Sequence, residues 1–109
     1  MEQKAIGKYI GVSQKKANIP VKVVRGMSVE NALNALKYMQ KGAALHVMKV
    51  IESAYANASR KEKVDAKRLM VREIKADRGP SQRRIYYKAK GGYRFFNRPT
   101  SHITVVLGD

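Results

Sequence analysis

The chain has 109 residues, 44% of them hydrophobic, enough for one modest core and too few for two domains. Its 23 Lys and Arg stand against 8 Asp and Glu, and a formal charge of +15 makes the folded chain repel itself unless a polyanion, most simply a nucleic acid, neutralises it. No apolar run reaches the roughly 18 residues a membrane span needs, residues 1–8 lack a signal-peptide pattern, and the absence of Cys excludes disulfides and thiolate metal sites. A soluble chain that stays where it is made is expected, and the lack of Cys fits a reducing compartment without establishing one.

In residues 4–12, Ala5, Ile6, Tyr9, Ile10 and Val12 mix with Lys4 and Lys8 in a segment able to pair as a strand, although its alternation is poor. Ser13 is placed to cap a helix over residues 14–25, with Arg25 near the negative end of its dipole and Gly26 just beyond. Pro20 falls in the middle of that helix. There it removes an amide donor and crowds the Lys16 carbonyl at a cost of about 3 kcal/mol, so a kink or a late start is expected. Ser28 caps a second helix with Ala32, Leu33, Ala35, Leu36 and Met39 on one stripe. Lys41-Gly42 breaks the pattern before a third helix, roughly residues 43–60. Its Ala43, Val47, Val50, Ile51, Ala54 and Ala58 form the buried face, with His46, Lys49, Ser53, Asn57 and Arg60 opposite. The small side chains of Ala54, Ala56 and Ala58 are expected to let neighbouring elements approach closely. After a polar stretch over residues 61–67, residues 69–77 have the length and β-branched content of a strand. Their expected partner is residues 101–107, where Ile103, Val105 and Leu107 share a face.

Between these strands, residues 78–98 carry Arg78, Arg83, Arg84, Lys88, Lys90, Arg94 and Arg98 with no Asp or Glu. Tyr86, Tyr87, Tyr93, Phe95 and Phe96 are interleaved among them, five of the chain's eight aromatics. Gly91-Gly92 suits a tight turn with positive φ, giving a hairpin with arms over residues 82–90 and 93–98. At about 3.3 Å per residue such arms reach roughly 25 Å from the sheet. A lone two-stranded ribbon with exposed rings and crowded charge is marginal in water. Structured RNA offers it phosphates for the cations and base faces for the rings. The plainer reading is a solvated loop whose aromatics fold back onto the core.

Nothing suggests catalysis. His46 and His102 are far apart in sequence and have neither metal-ligand spacing nor a nucleophile beside them, so each reads as a structural or RNA-facing side chain. Gly79-Pro80 and Gly91-Gly92 read as turns rather than phosphate-binding loops. The eight acids are dispersed, with no pair for acid-base work or magnesium. Lys15 and Lys16 fit a solvated face and a phosphate grip equally well. No enzymatic activity and no cofactor are expected.

Several segments together resemble a known family over nearly the whole chain. They are Ser13 to Ala17, Arg25-Gly26, Ser28-Val29-Glu30, Lys49 to Ala54 with Ala56-Asn57-Ala58, Gly79-Pro80-Ser81, Ala89-Lys90-Gly91 and Thr100 to Val106. Their order and spacing resemble the bacterial-type large-subunit ribosomal protein L-twenty-two. The chain departs from the usual pattern at Pro20, where an aliphatic residue is expected, and at Tyr87, Gly92, Tyr93 and Arg94, where Pro, Arg, Ala and Asp are more common.

The resemblance implies an α+β fold, a small three-stranded antiparallel sheet packed with three helices, with a long protruding β-hairpin. It also implies a single RNA-binding domain over residues 1–109, with residues 78–98 as an extended basic hairpin. The expected function is that of a structural constituent of the large ribosomal subunit, cytoplasmic or organellar, binding large-subunit rRNA and neighbouring ribosomal proteins. The hairpin would line the nascent-peptide exit tunnel, and neither a membrane nor a second copy is an expected partner. The residues expected to face RNA are Lys4, Lys8, Ser13, Lys15, Lys16 and Arg25 on the body, and Arg78, Ser81, Arg83, Arg84, Lys88, Lys90, Arg94 and Arg98 in the insertion. Thr100, Ser101 and His102 complete that set. By position, Lys88, Ala89, Lys90, Gly91, Gly92 and Tyr93 form a tip facing the peptide. The other reading is a free-standing RNA- or DNA-binding regulator.

Overall fold

In the computed structural model, which describes residues 2–39, 42–61, 67–87 and 91–108, the most strongly β-branched segment becomes the centre of a sheet. This strand, β5 (Ser101–Gly108), lies between β1 (Glu2–Ile10) and β2 (Met70–Arg78), antiparallel to both. Ile103, Val105 and Leu107 are fully buried, as their shared face predicts. The poor alternation of β1 has a physical cause. Its register slips between Gly7 and Ile10, and Tyr9 adopts φ 58°, so a bulge interrupts the period of two that a strand otherwise imposes. A second slip in β2, between Val71 and Glu73, places the buried Val71 and Ile74 three residues apart.

Three helices cover the core: α1 (Gln14–Val24), α2 (Val29–Lys37) and α3 (Gly42–Lys61). Both expected caps are present. Ser13 Oγ accepts from the Lys16 amide and Ser28 Oγ from the Asn31 amide, each at 3.3 Å. The six residues expected on the buried face of α3 are buried, together with Ala44, and the helix packs across β1 and β5 and against the other two helices. Ala56 is exposed and admits no neighbour, because it lies off that stripe. The link between α1 and α2 runs beside the start of β2, with Val71 donating to Met27 O at 2.8 Å and Val29 donating to Leu69 O at 2.9 Å. This covers one end of an otherwise open sheet edge.

Pro20 neither delays α1, which starts at Gln14, nor ends it. Its ring is fully buried, and that burial offsets the amide donor missing beneath the Lys16 carbonyl. Pro20→Val restores the donor at similar volume and is expected to raise stability by about 1 kcal/mol, read as a higher Tm. An unchanged or lower Tm would mean that the ring's packing outweighs the lost hydrogen bond.

The insertion forms the expected hairpin. Strands β3 (Gln82–Tyr87) and β4 (Tyr93–Arg98) pair from Gln82↔Arg98 to Tyr87↔Tyr93 in a separate two-stranded sheet. The described part of the incoming strand ends at Tyr87, and the expected continuation of that arm to residue 90 falls outside the described residues. Gly91 has a positive φ of 77°. Lys88, Ala89 and Lys90 lie outside the described residues. The molecule extends 61 × 25 × 17 Å, and its Cα radius of gyration of 16.7 Å exceeds the roughly 13 Å of a compact chain this long.

Where hairpin meets body its two connecting segments touch closely. The Gly79 amide donates to Thr100 O at 2.9 Å, and Thr100 Oγ1 donates to Pro80 O at 2.6 Å. A Cβ on Gly79 would lie 2.5 Å from Thr100 Oγ1 and 3.2 Å from the Thr100 carbonyl, so this neck requires glycine.

Candidate nucleic-acid interface

The fold distributes the expected RNA-facing residues over three regions. Lys4 and Lys8 are exposed on β1, at the open side of the sheet, and Lys8 precedes the Tyr9 bulge. Lys15 and Lys16 are exposed in the first turn of α1, whose cap is Ser13. Arg78, Ser81, Arg83 and Arg98 are exposed along the neck and hairpin. Arg84 and Arg94 occupy β3 and β4, paired in register with Phe96 and Tyr86, and their side chains lie outside the described residues, as do Tyr93's side chain and the whole of Lys88 and Lys90.

Four expected residues share one groove. Ser13, Lys16, Arg98 and Thr100 line a cleft of about 400 Å³ with Tyr9, Gly11, Val12 and Pro99, at the meeting of the β1 bulge, the start of α1 and the foot of the hairpin. Two cations enter it, and no Asp or Glu lines it.

Other expected residues have work inside the fold. Arg25 follows the last turn of α1, a helix of about 16 Å, and is therefore remote from the groove. It is exposed, yet its Nη2 donates to Ile74 O at 3.0 Å and ties the helix end to β2. At the start of α1, Gln14 Nε2 similarly donates to Ala76 O at 3.0 Å. His102 Nδ1 accepts from the Tyr9 amide at 3.1 Å, and the two rings meet edge to face with centroids 5.0 Å apart. Ser101, expected to face RNA, lies inside the fold. It is fully buried, since it begins the central strand opposite Ile10 and Arg78, and its Oγ has no hydrogen-bond partner among the described residues.

Tyr9 lines the groove although it was not among the expected RNA-facing residues. It is 66% exposed on a folded wall rather than on the hairpin. The broken alternation around Tyr9 was the available signal, because a bulge re-aims the side chain it displaces.

Among the described residues, no cluster of three His, Cys, Asp or Glu could hold a metal ion, and no helix is long and apolar enough to cross a membrane. The comparisons with known proteins agree with the fold. The family described as ribosomal protein L22p/L17e matches residues 5–108. Proteins named large ribosomal subunit protein uL22 are similar along their full length. That of Desulfotalea psychrophila is 46% identical over 109 residues, covering 100% of this chain and 99% of its own. That of Desulforamulus reducens is also 46% identical, and that of Thermus thermophilus 41%, each covering 100% of this chain and 96% of its own. With the sheet, the three helices and the basic hairpin in the order this family resemblance implies, the chain belongs to the ribosomal protein L22p/L17e family, whose members are structural proteins rather than enzymes.

Proposed function

We propose that the chain is a structural constituent of the large ribosomal subunit that binds and orders large-subunit rRNA, with its hairpin lining the peptide exit tunnel. Residues 1–109 act as one RNA-binding domain, and residues 78–98 are its reaching arm. The observation that carries this reading is the hairpin itself: seven Lys and Arg and no acid, in a segment that the 61 Å length of the molecule sets away from the core. Such an arm lowers its own electrostatic energy by meeting phosphates, and its aromatic residues have base faces to meet. On this reading the cytoplasmic ribosome is its location, neighbouring large-subunit proteins are its contacts, and the nascent peptide passes residues 88–93.

The arms and the tip then differ in role. Lys88→Ala and Lys90→Ala are expected to leave incorporation into subunits intact while changing how stalling peptides, or antibiotics lodged in the tunnel, affect translation. Subunits assembled with each variant and assayed on a panel of stalling peptides check this. Unchanged stalling and antibiotic response in both variants would contradict a tip that faces the lumen.

A further inference from the structure

Resting on the rRNA-binding reading above, we propose that the groove at the foot of the hairpin takes one unstacked RNA nucleotide, its base on the Tyr9 ring and its phosphate between Lys16 and Arg98. The ring is 66% exposed, yet it is anchored. Its own amide donates to His102 Nδ1 at 3.1 Å, and the His102 ring meets it at an interplanar angle of 88°. Because Nδ1 accepts, the imidazole proton sits on Nε2, which fixes the tautomer. An edge-to-face contact occupies at most one face of the phenol ring and leaves the other open to a flat partner.

The backbone supports the same placement. Tyr9 holds φ 58°, a conformation disfavoured for a bulky residue, and the bulge it forms brings Tyr9 to the wall of the groove instead of continuing the strand alternation. The Lys16 amide is already taken by Ser13 Oγ, and the cations that line the groove, the ammonium of Lys16 and the guanidinium of Arg98, hold the anion. At about 400 Å³ the groove falls in the range of small-ligand sites, roughly 300–1,000 Å³. An acidic peptide would use the two cations and leave the ring idle. A splayed nucleotide uses both, which is how single-stranded RNA is commonly held.

The test uses the full-length protein with protein-free large-subunit rRNA as probe, titrated over a salt series, with thermal unfolding to confirm that each variant is folded. Tyr9→Leu is expected to weaken binding about tenfold with an unchanged salt slope, whereas Tyr9→Phe keeps the ring and stays close to wild type. Lys16→Gln and Arg98→Gln should each lower the slope by roughly 0.7–0.9, one released counterion apiece. Ultraviolet crosslinking of the wild-type complex should leave a nucleotide adduct on the peptide carrying Tyr9. If wild type binds this RNA and Tyr9→Leu binds equally well, the groove assignment fails while the rRNA reading stands. If Tyr9→Leu does not fold, absence of the wild-type adduct overturns the assignment. If wild type does not bind the RNA, both readings fall.

Discussion

Ile103→Ala is expected to cost about 2–5 kcal/mol, whereas replacing residues 82–96 by a short Gly-containing turn is expected to cost well under about 3 kcal/mol. Ile103 is fully buried on the central strand of the sheet, in one cluster with Ile51, Ile74 and Leu107, so truncation leaves a cavity inside the core. The hairpin forms its own two-stranded sheet, and among the described residues it contributes none of the buried core. Against a total stability of roughly 5–15 kcal/mol, the first change removes a large share and the second a small one. Chemical denaturation of both variants distinguishes them. Equal losses would mean that the arm supports the fold.

The same replacement has the opposite consequence for RNA. It removes Arg83, Arg84, Lys88, Lys90 and Arg94, and at roughly 0.7–0.9 per phosphate contact the salt slope of rRNA binding is expected to fall by about 4. Titration of rRNA between low and physiological salt measures it. A slope unchanged by the replacement would place the RNA grip entirely on the body.

The helices were legible because caps and apolar spacing act locally. Ser13 and Ser28 sit where the first turns begin, and the α3 stripe from Ala43 to Ala58 is the buried face. Ile103, Val105 and Leu107 were legible for the same reason, with period two in place of three and four. What escaped depends on contacts distant in sequence. The bulge at Tyr9 exists because β1 must meet β5 in two registers, and Tyr9 is held by His102, 93 residues away. Ser101 resembled a surface residue within its motif, but the central position of β5 buries it. The late start expected from Pro20 did not occur, α1 beginning at Gln14, because the ring fills a place in the core that local helix energetics alone cannot count.

The central claim, that this chain is a large-subunit component held by rRNA, is tested most directly by sedimentation of tagged full-length protein from cell extract through a sucrose gradient. The protein is expected to travel with the large subunit and to stay there through a moderate salt wash. Recovery of the folded protein at the top of the gradient, separate from the large subunit, would contradict it and favour a free-standing nucleic-acid-binding regulator.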